Sequence, residues 1–392
     1  MVDFELTQAD QEVLAEARRQ AKIYRENARR IDHTMDFTRP DYAEQLKAPG
    51  EENFVHVRNM AAEREEETSG LAILEALIYL EESYGLKPVY WRGKGADVLN
   101  VSLAGKLIEI IGTPEQVEYW KDKYPAWGMT EPNAGSDPAS LRTTAVFDSK
   151  TQEWVINGEK IFTSNATQAD GVMALCRCHG PEGDEGIGIV LVEKGTPGYT
   201  ISPQMEKLGL RNWDTVGVSF MDCRVPANAR LRGNLKSALS IFNGTRGVIA
   251  AQALGYAKIA MDLVRERLAS LGRNLDYSQD LIDRSAIEDR LLKLEALWEA
   301  TYLTVLHTQW HGQTHGADKF YPSLAKMKGG LAVRKIIPEC LNILGLLGTS
   351  ENYAVEQALR DSRILDIYEG PNEAQRLLLG RALLNYTAKE LN

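Results

Sequence analysis

Cysteine is scarce in this 392-residue chain: Cys176, Cys178, Cys223 and Cys340 are the only four, and no two form a C-x-x-C pair. A disulfide framework is therefore excluded. Cys176 and Cys178 lie two apart and would share one face of a strand, but no other ligands have matching spacing, so core packing is expected rather than a metal pair. No long basic run accompanies the formal net charge of -10, which argues against nucleic acid or an anionic membrane surface as a partner. No segment approaches the roughly eighteen consecutive apolar residues of a spanning helix, so no membrane association is expected. No apolar stretch follows a basic start, so a cytoplasmic location is expected. Internal repeats and low-complexity segments are also missing. What remains is 44% hydrophobic and 26% charged residues, a globular balance with length for two or three domains.

The pattern divides the chain into three parts. Residues 1–125 read mostly as helix: Thr7 to Asp10 form an N-cap and acidic first turn, and helical spacing runs from Leu6 to about Arg30. The segment Thr34 to Pro49 reads as a connector, and Ala61 to Glu67 as the start of a charged helix with a solvated acidic face. Leu71 to Tyr84 and Leu103 to Ile111 carry apolar residues at i, i+3, i+4 and i+7, the mark of helices packed into a core. Residues 126–233 change character, with short β-rich runs at Glu153 to Ile156, Gly171 to Cys176, Ile187 to Val192 and Val216 to Phe220. Residues 234–392 return to helix, led by a long pattern from Leu235 to Leu271 in which Ala250, Ala251 and Gly255 make a slim face. His307, His311 and His315 would line one helix face, but Gly312 and Gly316 should fray it and no acidic ligand is interleaved, so a metal site is not expected.

Two stretches break this periodicity. Trp127 to Asp137 (Trp-Gly-Met-Thr-Glu-Pro-Asn-Ala-Gly-Ser-Asp) reads as a loop built around a ligand. In Val155 to Asn165, Asn157-Gly158 reads as a hairpin turn, after which Phe162 and Ser164 fall at alternate positions of a strand and so on one face. Together they resemble the flavin-binding signature of the acyl-CoA dehydrogenase family. The stretch Asp366 to Arg376, with Tyr368-Glu369-Gly370 at its centre, resembles that family's catalytic loop. The resemblance covers most of the chain after about residue 95. It implies an α+β fold of N-terminal helical domain, central β-barrel or sandwich domain and C-terminal helical bundle, with FAD as cofactor and acyl-CoA as substrate.

By position, the resemblance assigns FAD contacts to Met129, Thr130, Gly135, Ser136, Phe162 and Ser164. A flavin ring needs hydroxyl and backbone donors at its polar edge and a flat apolar wall behind it. Thr130 would meet the pyrimidine edge, Ser164 would approach N5, and Ser136 would meet the pyrophosphate region. Phe162 replaces a frequent Trp, keeping the wall without the indole N–H. Glu369 would remove the proton next to the thioester carbonyl, work that suits a desolvated carboxylate of raised pKa, and the β-hydrogen would pass as hydride to flavin N5. Relatives that carry the base on the long helix, just before an Arg, have it at the position of Thr245; here Glu369 has no rival. Arg246 would support its orientation. Substrate contacts carried over are Ser136, Asn243, Arg246, Tyr368 and Gly370. Gly244 permits a branched or cyclic acyl group, and reduced flavin would pass electrons to an electron-transfer flavoprotein.

The chain departs from its family where a neighbouring subunit would hold the adenine half of the cofactor. An Arg-x-x-Phe-Gly motif aligns with Leu268-Ala269-Ser270-Leu271-Gly272, and a Gln-x-x-Gly-Gly turn with Asn342-Ile343-Leu344-Gly345-Leu346, leaving Asn342 and Gly345 as the remaining cofactor contacts there. Pro371 replaces a family Thr. A Gly-Gly-Leu-Gly segment of the N-terminal domain is lacking too. These losses lead to the expectation of an α2β2 complex with a homologous chain. A register one residue off, with Arg267 or Arg273 in the role, or a homodimer with a less enclosed adenine would account for the same losses. A flavin oxidase or monooxygenase of the same superfold and a non-catalytic subunit are the competing functions.

Overall fold

The computed structural model describes residues 4–34, 41–54, 57–64, 67, 71–88, 102–273, 275–316 and 318–386. Helix α1 (Gln8–Asp32) starts where the sequence places it. The Thr7 hydroxyl accepts from the Asp10 amide and the Asp10 carboxylate accepts from the Thr7 amide, a reciprocal cap that satisfies two otherwise orphaned donors. After short helices α2 (Tyr42–Gln45) and α3 (Val57–Glu63), α4 (Leu71–Tyr84) and α5 (Leu103–Ile111) occupy the two apolar-periodic segments. Helix α6 (Pro114–Trp120) closes the series. The Gly-Gly-Leu-Gly region and residues 65–66 of the acidic run lie outside the described residues, and the helix expected to start at Ala61 is instead α3, which starts at Val57 and ends at Glu63.

Strands β1 (Pro125–Gly128), β2 (Thr144–Asp148), β3 (Glu153–Ser164), β4 (Gly171–Gly180), β5 (Gly183–Glu193), β6 (Tyr199–Ile201), β7 (Thr215–Pro226) and β8 (Arg230–Leu231) form one mixed sheet. Its order is β6-β7-β3-β2-β4-β5-β8, with β1 also paired to β4. One face encloses a core of its own that includes Trp154, Ile156, Val172, Cys176, Val190, Val218 and Phe220. The opposite face of β4 and β5 packs Met173, Leu175, Ile189 and Leu191 against Leu107 and Ile108 of α5 and Trp120 of α6. Cys176 and Cys178 are fully buried, and burial pushes the Cys176 thiol up to about 12, so both are packing residues.

Asn157-Gly158 is not a hairpin turn. It lies inside β3 at an irregularity in the pairing with β7, and the chain reverses between β2 and β3 around Ser149 to Gln152 instead. Gly158 has φ +136°, and a Cβ there would sit 2.6 Å from the Thr143 hydroxyl and 2.7 Å from the Thr143 Cα. The glycine serves a close approach of backbones, and Asn157 pairs its amide with Asp222 across the sheet.

The C-terminal bundle comprises α7 (Leu235–Ser240), α8 (Phe242–Ser270), α9 (Ala286–His315), α10 (Phe320–Leu344), α11 (Ala354–Ser362) and α12 (Asn372–Leu384). Helices α7 and α8 together (Leu235–Ser270) are the one helical stretch among the described residues long and apolar enough to cross a bilayer, and its apolar residues are mostly buried in the bundle. Gly312 does not break α9, which runs on to His315 with Gly316 as its left-handed end. The His311 and His315 rings stack 4.7 Å apart and Asp318 faces His311 at 2.9 Å, but no cluster able to hold a metal occurs among the described residues.

Gly255 is where α4 crosses α8. A Cβ at this position would lie 2.2 Å from the Leu80 carbonyl oxygen and 2.8 Å from both Ser83 Cβ and the Tyr84 amide nitrogen. Alanine is a better helix former than glycine by about 1 kcal/mol, but overpacking against backbone that cannot rotate away costs about 1–3 kcal/mol. Gly255→Ala is therefore expected to lower the denaturation midpoint; a midpoint at or above that of the parent would show that α4 slides aside.

Candidate active site

The two signature stretches meet in the sheet. The Ile161 amide donates to the Thr130 carbonyl at 2.8 Å, setting the loop after β1 beside the end of β3. Beneath them lies a pair that no motif announces: Lys160, fully buried, with its ammonium 2.6 Å from the Glu131 carboxylate, itself 6% exposed. Burial pushes the Glu131 carboxyl up, but Lys160 and the amides of Arg142 (2.6 Å) and Thr143 (2.9 Å) outweigh it and hold the group below the usual carboxylate range. A buried ion pair this fully hydrogen-bonded fixes the loop's path, and removing either partner would strand the other charge. The signal was present in the sequence as an alternation that places Lys160, alone among charged residues of β3, on the buried side.

Above this pair the surface is open. Phe162 has φ +55° and is 61% exposed, and the pairing with β7 shifts between Lys160 and Thr163, so the strict alternation expected along the strand is interrupted. The interruption leaves Phe162 and part of Ser164 uncovered while Thr163 is buried. The hydroxyls of Thr130, Ser136 and Ser164 have no hydrogen-bond partner among the described residues, and Gly135 has only the Thr130 methyl within 4 Å of a Cβ position. Met129 packs against the core under this surface. Unspent hydroxyls around an exposed ring fit a flat group with a polar edge such as the flavin implied by the sequence.

Trp127 of β1 packs edge-to-face on Phe242, ring centroids 5.6 Å apart, which sets this surface beside the start of α8. Three residues on, the Thr245 hydroxyl donates to Glu369 Oε2 at 2.7 Å. The two alternative positions for a base thus converge on one spot, and here one holds the carboxyl and the other a hydroxyl donor. Arg246 Nε donates to the Glu369 carbonyl at 3.3 Å, and its Nη1 lies 3.4 Å from Asn243 Oδ1 and 3.5 Å from Ser323 Oγ. It supports the loop's backbone, not the carboxylate directly. Tyr368 donates its hydroxyl to Gln252 Oε1 at 3.0 Å. Gly370 has φ +91°, and a Cβ there would collide with Gln375 Nε2 at 2.4 Å.

The Glu369 carboxyl is pushed up to about 7. Burial is the main cause, opposed by the Thr245 hydrogen bond and by the positive charges of Arg246 and Lys326. The Glu369 amide donates to no acceptor among the described residues. Arg360 and Arg363, which precede the loop, are engaged elsewhere: Arg360 with Asp32 and Glu356, Arg363 with Asp366. Gly244 has open space around it, and Asn342 and Gly345 fall outside this cluster. Asn342 is sixteen residues along α10 from Lys326, about 24 Å at the helical rise, and its amide donates to Glu339 at 3.4 Å.

Models of the acyl-CoA dehydrogenase middle domain and C-terminal domain match residues 126–223 and 235–384. The acryloyl-CoA reductase (NADH) of Anaerotignum propionicum is 31% identical, over 98% of this chain and 96% of its own. Among solved structures, the butyryl-CoA dehydrogenase of Megasphaera elsdenii superposes with a TM-score of 0.74 at 25% identity, covering 97% of this chain and 100% of that one. A chain from a structure described as the electron transferring flavoprotein of Acidaminococcus fermentans superposes with a TM-score of 0.77 at 25% identity, covering 97% and 99%.

A carboxyl with a raised pKa also marks stability. Between its unfolded value of about 4.5 and its folded value of about 7, the folded chain holds a proton the unfolded chain has lost, so stability falls as pH rises through that window. Glu369→Gln is expected to raise the denaturation midpoint at pH 8, by the equivalent of about 3 kcal/mol, and to change it little at pH 4.5. An equal midpoint shift at both pH values would show that Glu369 is not desolvated.

Proposed function

The chain belongs to the acyl-CoA dehydrogenase family, and from that premise we propose an FAD-dependent enzyme that converts an acyl-CoA to its trans-2-enoyl-CoA with Glu369 as the base. The observation that carries this reading is the Glu369 carboxyl, desolvated to a pKa of about 7 yet supplied with a donor by Thr245. A base matched to neutral pH removes a weakly acidic α-proton most effectively. The Glu369 amide, without an acceptor among the described residues, would donate to the thioester oxygen as charge builds there. Bound FAD supplies the hydride acceptor for the β-hydrogen. Thr130, Ser136 and Ser164 offer their hydroxyls, Met129 and Gly135 their backbone, and Phe162 its ring to hold that cofactor, while Asn243, Arg246, Tyr368 and Gly370 frame the acyl side. A cytoplasmic setting, with electron-transfer flavoprotein as acceptor, completes the reading; the likeness to the Acidaminococcus chain supports that acceptor.

A second direction is favoured by one relative. The near full-length match to an acryloyl-CoA reductase and a carboxyl that is half protonated near neutrality both suit the reverse reaction, in which Glu369 gives its proton to the α-carbon. Both directions use the same residues, so both belong in the assay.

The quaternary proposal is an α2β2 complex. Leu271 is 56% and Leu346 89% exposed where the adenine-side motifs would need a guanidinium, an aromatic ring and a second glycine. Asn342, near the end of α10, and Gly345, just after it, would serve a neighbour's cofactor.

Turnover of an acyl-CoA panel with an artificial electron acceptor, and of the matching enoyl-CoAs with a reductant, tests the chemistry. With FAD supplied in excess, Glu369→Gln should bind it as the parent does and lose at least about a thousandfold in turnover; near-parental turnover would remove Glu369 from the mechanism. Expressed alone, the chain is expected to retain less than one FAD per chain, and a homotetramer with stoichiometric, tightly held FAD would rule out the heteromer.

A further inference from the structure

Three buried side chains from three helices converge on two successive carbonyl oxygens. Arg246 of α8 and Gln375 of α12 donate to the Glu369 carbonyl at 3.3 and 3.4 Å, and Gln375 also reaches the Gly370 carbonyl at 3.1 Å. Lys326 of α10 donates to the Gly370 carbonyl at 2.7 Å and lies 3.4 Å from Asn372 Oδ1. Lys326 and Gln375 are fully buried and Arg246 nearly so. The residues they pin have φ +55° and +91°, a left-handed pair that glutamate adopts only where its surroundings over-determine it.

Lys326 differs from the other two. Its aliphatic stem and ammonium are sealed under the loop, where a neutral donor would satisfy the same carbonyl without the cost of burying a charge. The charged groups facing it are Asp366 before the loop, Glu369 within it, Glu373 on α12 and Arg246 on α8. Asp366 is already paired with Arg334 and Arg363, and Glu373 is exposed. Glu369, partly buried and paired with no cation among the described residues, is the carboxyl left for the ammonium to act on.

We propose that Lys326 is a positioning residue for Glu369: from beneath the loop its ammonium fixes the Gly370 carbonyl and biases the neighbouring carboxyl toward its proton-accepting form. The proposal rests on the reading of Glu369 as the base. Burial lowers Lys326 itself to about 8, against the raising effect of Asp366 and Glu369, so the bias operates at neutral pH and fades above about 8. A peg that merely held the loop would require a donor; a tuning charge requires the charge.

Lys326→Gln and Lys326→Met separate the two roles, since both lose the charge and only the first keeps a donor. In substrate-free protein saturated with added FAD and carrying 13C-labelled glutamate, with the Glu369 signal assigned from its loss in Glu369→Gln, the carboxyl midpoint should rise by about one unit in both variants. The acid limb of the turnover profile should move with it and rejoin the parent at high pH. A midpoint unchanged in either variant overturns the proposal. If the Lys326 variants do not fold, the reciprocal measurement decides: coupling between two groups is mutual, so the Lys326 midpoint must fall when Glu369→Gln removes its negative neighbour, and an unmoved Lys326 midpoint overturns the proposal equally. Failure of the parent to turn over any acyl-CoA or enoyl-CoA would count against the enzymatic reading alone, because both titrations are made without substrate.

Discussion

A carboxyl kept out of water while still able to take a proton is the constraint on which the C-terminal half of the molecule turns. Desolvation alone would hold Glu369 protonated, and full pairing with a cation would make it a poor base. The structure lies between: a hydroxyl donor from Thr245 on the carboxyl itself, and cations placed on the adjoining carbonyls instead of on the carboxylate. That arrangement needs α8, α10 and α12 to converge within one loop's width. Their convergence in turn needs small residues where helices touch, such as Gly329 against Ala250, where a Cβ would come within 2.8 Å of the facing Cα.

The same device appears a second time under the surface around Phe162. Lys160 and Glu131 are sealed beneath the loop that carries Thr130 and Ser136, as Lys326 is sealed beneath the loop that carries Glu369. In each case a buried lysine ties down an irregular stretch of backbone, Lys160 through the Glu131 carboxylate and Lys326 through the Gly370 carbonyl. Apolar packing cannot do this, because irregular backbone presents carbonyls and amides that need hydrogen-bond partners.

Elements with strong periodicity were legible in the sequence almost residue by residue: the Thr7 cap, α4, α5 and the apolar course of α8 follow from spacing and from local hydrogen bonding. The stretches that carry Thr130, Ser136, Phe162 and Ser164 were legible as motifs because each is short and contiguous, and the structure sets the two side by side. The misread positions share one cause. Asn157-Gly158 has the composition of a turn, but the glycine answers to Thr143, fifteen residues earlier and just before the neighbouring strand, and the dipeptide's own composition does not contain that contact. Gly312 has the composition of a helix breaker, but a cost of about 1 kcal/mol is small beside the packing of a thirty-residue helix.

Relations between neighbours along the chain suffice for the class of each segment and for the identity of the chemical groups, since helix periodicity, strand alternation and a Tyr-Glu-Gly loop are all local properties. What those groups can do was settled by the way the helices meet. That Thr245 and Glu369, 124 residues apart, share a hydrogen bond, that Arg246 holds a carbonyl and not the carboxylate, and that Lys326 lies under the loop are consequences of three helices converging. The physical reason is that a carboxyl's proton affinity is set by the burial and charge around it in space, and those are sums over residues that the linear order keeps apart.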